Sequence, residues 1–481
     1  MKKVFFSFAV IAMTANIQAQ TIAQQEGRSE IWTLEACIQQ AWVNSLLVRE
    51  GEFGLENADI ELKLAKHSRF PSLVANSTGF VNFGRSIDPV SNQFIATTFL
   101  SNGIGLNTNM TLFNANRINN LISRTRIDKQ ASGRDLDQIK NNIALQVANA
   151  YINVLFASEN LSNSRKQLEE TAQQLEQIDK LIEFGSRPAN ERLDLEAQYA
   201  TREQAIVNNE NNLTIAYLLL KQLMRVDMNY NMVLETPENL EVDGDPDLYT
   251  FDEIFRSALI TQKSVEAGEL RVLSAEKNVE VAQAELYPSL GFTGNLQTNF
   301  SNQARIIERF ETIRQETQVF INNQPVTIAT DANVPILANN PYFNQLGDNI
   351  FFGFGMFLRV PIYSNFNVSG GIQRAKINVL NTRNQLEQEK DRIRNDVQQA
   401  LADARSAKRS FIAAQKSVNA QQVAYENGLR RLEVGAMNPF DVIFIQNQLE
   451  QSEINLIIAK YDYLFKMKVL DFYLGKPLSM N

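Results

Sequence analysis

Apolar side chains recur every seven residues along the segment 114–184. The repeating positions are Val147, Val154, Leu161, Leu168, Leu175 and Ile182. Three residues after each of the first five positions stands a small or medium side chain: Ala150, Ala157, Ser164, Thr171 and Ile178. This spacing is typical of a helix that packs against a partner helix along its whole length. We therefore predict one helix of about 105 Å over this segment.

The chain contains two copies of one pattern. Arg69-Phe70-Pro71-Ser72-Leu73 recurs as Leu286-Tyr287-Pro288-Ser289-Leu290, which is 217 residues later, and Phe184-Gly185 recurs as Val434-Gly435, 250 residues later. The second copy therefore carries 33 additional residues. Tandem copies predict two structural repeats of similar fold. We place the first repeat at 20–224, with helices 33–70, 114–184 and 190–224. The linker follows at 225–249, the second repeat at 250–474, with helices 250–287, 365–434 and 440–474, and the C-terminal tail at 475–481.

Each repeat also carries a pair of segments in which apolar residues alternate with polar residues or glycine. These segments are 72–83, where the alternation is poor, 100–113, 290–300 and 350–362. The expected lipid-facing side chains are Leu106, Met110, Phe292, Leu296, Phe354, Met356 and Leu358. Strands of this length and pattern fit a transmembrane β-barrel, whereas the alternative is a soluble sheet lying on a core. The segments 84–99 and 301–349 would be the outer loops, the second of them long and polar.

Four strands are too few to close a barrel, and an open strand edge is not tolerated in lipid. A barrel built from this chain therefore requires several copies.

The composition excludes several classes of protein. The formal net charge is −8, with one cysteine, Cys37, and one histidine, His67. A single cysteine excludes an internal disulfide and a cysteine-cluster metal site, and the acidic balance argues against nucleic acid as a partner. We find no catalytic set, no phosphate-binding loop and no cofactor motif. The sequence therefore predicts a protein that is not an enzyme.

The first 19 residues have the pattern of a secretory signal peptide. Lys2 and Lys3 precede a short apolar stretch, and cleavage is expected after Ala19. The alternative is a membrane anchor that is kept. The rest of the chain has no apolar run of about 18 residues, so we expect any membrane crossing to be made by strands.

The chain resembles the TolC family of outer-membrane channel proteins. The resemblance rests on the tandem copies, the Phe-Pro-Ser-Leu and Tyr-Pro-Ser-Leu junctions, the Val-Pro-Ile-Tyr strand end and the two glycine turns. It implies a mainly α-helical homotrimer with a 12-stranded transmembrane β-barrel, four strands from each copy, above a long periplasmic α-helical barrel. It also implies a place in the cell outer membrane with a large periplasmic part.

The resemblance further implies partners and sites. The partners would be a periplasmic adaptor (a membrane fusion protein) and an inner-membrane transporter of the RND or ABC type. The adaptor would contact the helix-to-helix turns at Phe184, Gly185, Ser186, Val434, Gly435 and Ala436. Acidic residues after these turns would narrow the periplasmic entrance and bind cations, and the candidates are Glu191, Asp194 and Asp441, with Arg187 beside them. The alternative is that these acids are ordinary solvated residues in the first turn of a helix, where the helix dipole favours them.

Two functions follow from these observations. The first is a passive water-filled exit duct for efflux or secretion, opened at its helical tips by the adaptor. The second is a periplasmic coiled-coil spacer without a pore. The cargo stays open between drugs, metal ions and secreted proteins, because a polar lining carries little specificity.

Overall fold

A computed structural model describes residues 31–87, 92–95, 98–236, 244–321 and 324–479. The expected signal peptide, residues 1–19, lies outside the described residues. The chain divides into two compact units. Of the described residues, the first unit holds 31–41, 147–236 and 479, and the second holds 42–87, 92–95, 98–146, 244–321 and 324–478.

The described part of the chain is mainly helical. Its α-helices are α1 (Leu34–Asn44), α2 (Leu46–His67), α3 (Arg117–Glu183), α4 (Asn190–Met224), α5 (Phe251–Thr261), α6 (Lys263–Gln283), α7 (Tyr342–Asp348), α8 (Asn367–Glu433) and α9 (Pro439–Leu474). The strands are β1 (Ile31–Trp32), β2 (Ser72–Asn82), β3 (Ser86–Ile87), β4 (Phe94–Ile95), β5 (Phe99–Phe113), β6 (Val233–Leu234), β7 (Ser289–Ser301), β8 (Arg305–Ile321), β9 (Gln324–Asn339) and β10 (Phe351–Arg359). Among the described helices, none combines the length and the apolar character needed to cross a membrane.

The heptad seam is buried from Val147 to Leu161, whereas Leu168, Leu175 and Ile182 further along it are half-buried. In the first unit, Val147 and Val154 in α3 are almost fully buried, and the small residues Ala157, Ser164 and Thr171 are buried beside them. The seam faces α4, since Asn209 donates a hydrogen bond to the Ser164 hydroxyl across 2.7 Å. Small side chains at these positions let the two helix backbones approach each other closely.

The corresponding seam in α8 packs against α5 and α9 in the second unit. Val397, Ala404 and Ala407 of α8 join Ile254 of α5 and Met467 of α9 in one buried apolar cluster. The helix α8 has 67 residues, which corresponds to about 100 Å at 1.5 Å per residue. Burial of this seam along a rod of such length gives the second repeat its core.

The predicted single helices 33–70 and 250–287 are wrong, because each of them is broken once. The chain is extended at Ser45, whose side chain accepts a hydrogen bond from the Val48 amide and caps α2. It is extended again at Gln262, between α5 and α6. These two breaks are 217 residues apart and hence occupy the same place in the two copies. A serine favours such a break because it caps a helix better than it continues one.

The first unit contains two short strands that pair in parallel, and the sequence pattern did not predict either of them. Strand β1 pairs with β6, which lies inside the segment 225–249 that we predicted to be a linker. The hydroxyl of Tyr151 donates to the carbonyls of Trp32 and Glu235, at 3.2 and 2.8 Å. Burial raises the pKa of this hydroxyl, so it stays protonated and able to donate.

The four predicted strands form one antiparallel sheet in the second unit, in the order β10-β7-β5-β2. The register places Leu106 beside Leu296 and Met110 beside Phe292, and it continues to Phe352 and Met356 on β10. Side chains of directly paired residues point to the same side of a sheet. The residues predicted to be apolar and outward therefore share one face, and polar side chains such as Asn107 lie on the other.

The segment 301–349, which we predicted to be a long polar outer loop, has secondary structure of its own. Strands β8 and β9 form a long antiparallel hairpin, and α7 follows it. The Gln345 amide in α7 is fully buried and accepts from the Ser301 amide while donating to the carbonyls of Ser301 and Asn340. A polar hairpin of this kind is hard to recognise because both of its faces carry charged residues. The other predicted outer loop, 84–99, contains the two-residue strands β3 and β4.

Each long helix starts from the same tight turn after a strand. The Arg117 amide donates to the Asn114 carbonyl at 2.9 Å, and the Asn367 amide donates to the Ser364 carbonyl at 3.0 Å. The two central residues of each turn have positive φ: Ala115 and Asn116 in the first copy, Asn365 and Phe366 in the second. This is the geometry of a type I′ turn. The sheet thus passes into both long helices through equivalent backbone conformations.

Candidate functional site

The first candidate site is the turn between α3 and α4 in the first unit. The Gly185 amide donates to the Ile182 carbonyl, and the Ser186 amide donates to the Leu181 carbonyl, both at 2.9 Å. Gly185 has a φ of +68°. This pair of hydrogen bonds with a left-handed glycine is the Schellman motif, which satisfies the last carbonyls of a helix. The sequence predicted this turn from Gly185 and Pro188.

The second candidate site is the turn between α8 and α9 in the second unit, and it has the same geometry. The Gly435 amide donates to the Leu432 carbonyl at 3.0 Å, and the Ala436 amide donates to the Arg431 carbonyl at 2.8 Å. The φ of Gly435 is +73°. The Asn438 side chain then caps α9 by accepting from the Phe440 amide at 3.0 Å. Both turns are therefore rigid backbone structures rather than loose connections.

Both turns expose an apolar side chain directly before the glycine. Phe184 is 80% exposed and Val434 is 78% exposed. The other predicted contact residues of the two turns, Ser186 and Ala436, are exposed as well. Large apolar side chains at the end of a rod contribute nothing to its core, and both of these remain exposed to solvent.

The gate candidates of the first unit differ from one another. Arg187 Nη1 lies 3.6 Å from Glu191 Oε1, and the Glu191 side chain is only 18% exposed. Glu191 Oε2 is buried and has no hydrogen-bond partner in the described part of the chain. Asp194 lies one turn further along α4 and is exposed. The structure thus pairs Arg187 with Glu191 and leaves Asp194 in solvent.

The gate candidate of the second unit, Asp441, is exposed in the first turn of α9. One turn later the exposed position is held by Phe444, which is 63% exposed. Each turn therefore precedes at least one solvated carboxylate, and only the second has an aromatic side chain where the first has Asp194.

The sequence analysis did not predict the role of Arg192, which links α3 and α4 beside the first turn. Arg192 donates to Asp179 of α3 at 2.9 Å and to Glu196 of its own helix at 2.9 Å. The signal was present in the sequence as an arginine and a glutamate four residues apart, a spacing that brings side chains together on a helix. The contact with Asp179 depends on the antiparallel packing of α3 and α4.

We expect Gly435→Ala to loosen the second turn without disturbing the packing around it. A Cβ at this position would meet no atom within 4 Å, so the cost is confined to the positive φ, about 1 kcal/mol. Amide exchange of Ala436 measured by mass spectrometry should become about fivefold faster. Gly371→Ala in α8 is the matched control, because a Cβ there also meets no atom within 4 Å but the backbone is helical. Equal exchange in both variants would contradict the assigned strain.

The chemistry available at these turns is charge and apolar contact. Among the described residues, no group of three or more His, Cys, Asp and Glu side chains is placed to hold a metal ion. The Cys37 thiol is buried, and burial raises its pKa to about 12, so it is not a nucleophile at neutral pH.

The sequence model of the family described as "Outer membrane efflux protein" matches residues 37–224 and 254–476. These two segments cover most of the chain. The chain belongs to the outer membrane efflux protein family. The predicted family is thus confirmed, and so is the prediction that the protein is not an enzyme, because members of this family are channels.

The chain is similar to one known protein in sequence and to two solved structures in fold. The chain is 20% identical over 454 residues to the outer membrane efflux protein BepC of Brucella suis, covering 94% of this chain and 87% of BepC. A crystal structure of CusC superimposes with a TM-score of 0.71 at 16% identity, covering 92% of each chain. The CmeC outer membrane channel of Campylobacter jejuni gives 0.68 at 16% identity, covering 92% of this chain and 85% of CmeC. The mainly helical, TolC-like fold predicted from the sequence is confirmed.

Proposed function

We propose that three copies of this chain form the outer-membrane exit duct of a tripartite efflux or secretion system. The observation that carries the proposal is the four-stranded sheet, which has one exposed apolar face and two unpaired edge strands, β2 and β10. A sheet with open edges cannot lie in lipid, because its backbone groups would lack partners. Pairing β10 of one copy with β2 of the next closes twelve strands without any edge.

The apolar face of the sheet is bounded by a helix at one end of the strands and by aromatic side chains at the other end. At one end α7 covers the face, since the Tyr342 hydroxyl donates to Asn102 and its ring packs on Phe300 at 4.7 Å. At the other end an exposed aromatic ring stands at each of the four connections to a helix: Phe70, Phe113, Tyr287 and Tyr363. Aromatic rings are enriched where a membrane barrel meets the interface. This arrangement supports lipid contact by Leu106, Met110, Phe292, Leu296, Phe354, Met356 and Leu358.

The long helices would continue the duct into the periplasm and end at the two turns. The exposed residues Phe184 and Val434 would insert into apolar recesses of a periplasmic adaptor, and the neighbouring residues Gly185, Ser186, Gly435 and Ala436 would complete the contact. The adaptor would connect the duct to an inner-membrane transporter of the RND or ABC type. Rigid turns suit this task because little conformational entropy is lost when they dock.

The acidic residues after the turns would select cations at the periplasmic entrance. Arg187 already balances the charge of Glu191, so Asp194 and Asp441 are the two candidate carboxylates without an ion pair among the residues that the structure describes. Repetition by threefold symmetry would collect these charges in rings, and rings of carboxylates attract cations into a pore.

The test is conductance of the purified protein in planar bilayers, with block by a trivalent cation added on the side of the helical turns. We expect stable channels in the wild type. Asp441→Asn and Asp194→Asn should each raise the half-blocking concentration by about tenfold, because a charge–charge contact worth about 1.4 kcal/mol is lost. Glu191→Gln should have a smaller effect.

The matched control is Asp252→Asn, which removes an exposed acid from the first turn of α5. Equal effects of Asp252→Asn and Asp441→Asn would mean that the acids near the turns are ordinary solvated residues. Absence of any conductance in the wild type would contradict the duct itself.

A further inference from the structure

A cavity of about 500 Å³ lies where the sheet of the second unit meets its helices. It is lined by Gly291 of β7 and by Phe357 and Arg359 of β10, together with Arg117, Glu285 and Tyr287. A volume of this size is typical of sites for drug-sized molecules. The combination of two arginines with two aromatic rings is unlike the amide-rich polar face above it.

Phe357 forms an apolar floor in this cavity. Its ring lies directly over Gly291, the residue paired with it on the neighbouring strand, so closely that a Cβ on Gly291 would overlap Cζ of the ring. A larger side chain at position 291 would displace the ring. The ring also lines a second cavity of about 390 Å³, which includes Ser72 and Asn109. One aromatic side chain is thus accessible from two adjoining hollows.

The charges around the ring leave a net positive site. Arg117 Nε lies 3.5 Å from Glu285 Oε1, which balances one arginine. Arg359 makes no ion pair with any residue of the described part of the chain. A guanidinium group presents several donors in a fixed plane and binds carboxylate, sulfonate or phosphate groups well. The unbalanced charge beside an aromatic ring therefore favours an anion attached to a flat apolar body.

The strand register places this site on the polar face of the sheet. Thr111 pairs with Gly291 and Gly291 with Phe357, while Ser289 pairs with Arg359, so all these side chains lie opposite the row of Leu106 and Leu296. If the proposed duct is correct, this face lines its lumen. The site would then stand in the path of the cargo.

We propose that this cavity is a contact site for anionic aromatic small molecules as they pass through the duct, with Arg359 binding the anionic group and Phe357 stacking on the aromatic body. The inference rests on the proposed function and adds a class of cargo to it. The wall of the duct would then have a weak specificity for such molecules where the sheet meets the helices, in addition to any selection at the periplasmic entrance.

The experiment compares current block by naphthalene-2-sulfonate and by 2-naphthol, which share a ring system and differ in charge at pH 7. In planar bilayers we expect the wild-type channel to be blocked more strongly by the sulfonate. Arg359→Gln should weaken block by the sulfonate at least tenfold and leave block by 2-naphthol unchanged, because only the charged hydrogen bond is lost. Phe357→Leu should weaken block by both compounds about fivefold.

The control is Arg309→Gln, which removes the same charge from the exposed hairpin strand β8. Equal loss of sulfonate block in Arg309→Gln and Arg359→Gln would overturn the site, since general electrostatics would then explain it. A wild type without conductance would contradict the proposed duct but not the site. In that case the site is tested by calorimetry, which measures the binding of naphthalene-2-sulfonate to the detergent-solubilised protein. Loss of binding in Arg359→Gln supports the site, and unchanged binding overturns it.

Discussion

Replacing Phe184 and Val434 together by aspartate is expected to abolish export in cells while the assembled protein still conducts ions. Both side chains are almost fully exposed beside left-handed glycines, so their removal costs the fold almost nothing. An adaptor that covers them would bury two apolar side chains in each copy. Placing a charge in such recesses costs several kcal/mol over the assembly, which is enough to prevent docking.

The measurement is cellular susceptibility to exported compounds, together with the yield of trimer and the conductance of the purified variant. Susceptibility should reach the level of a strain that lacks the gene, whereas trimer yield and conductance should equal those of the wild type. Phe343→Asp is the matched control, because Phe343 is 82% exposed in α7, outside both turns. Full export by the double variant would show that the partner does not contact these turns.

Phe354→Arg is expected to prevent assembly in the membrane. Phe354 is 76% exposed on the apolar face of β10, next to Met356 and Leu358 along the same face. An arginine on the lipid face of a barrel costs about 2–4 kcal/mol near the midplane, and threefold symmetry would repeat that cost in every copy. The yield of folded trimer in the outer-membrane fraction should therefore fall by tenfold or more.

The control for this variant is Thr293→Arg on the opposite face of the same sheet. Thr293 pairs with Gly355, which has no side chain that could crowd a longer residue at position 293. This variant should assemble normally and show a lower cation conductance. If the protein were a soluble spacer, Phe354→Arg would be tolerated as an ordinary exposed substitution, and normal yields for both variants would favour that function.

The long helices and the strand faces were predictable because each depends on a periodic pattern. Val147 and Val397 belong to apolar positions that recur every seven residues, and both are buried. The four predicted strands form one sheet, in which Leu106 and Leu296 are directly paired. The glycine turns were also predictable, since Gly185 and Gly435 are the residues that adopt a left-handed backbone at a helix end without strain.

The sequence analysis did not predict the helix breaks or the hairpin, and the reason differs between the two. Ser45 and Gln262 interrupt apolar patterns that continue on both sides. Only the break at Ser45 has a side-chain cap, and Gln262 makes no such hydrogen bond. The hairpin was missed because β8 has charged residues on both faces, although apolar residues such as Ala332, Val334 and Ile336 do alternate with exposed residues along β9.

The sequence by itself determined the repeated rods, the turns that end them and the sheet with one apolar face, because each is encoded by neighbouring residues of fixed period. Tertiary structure alone decided which polar groups meet. It paired Arg187 with Glu191, left Arg359 without an ion pair in the described part of the chain, and laid the Phe357 ring on Gly291 from another strand. Such contacts join residues distant in the chain, and their energies depend on packing and desolvation, which local periodicity does not record.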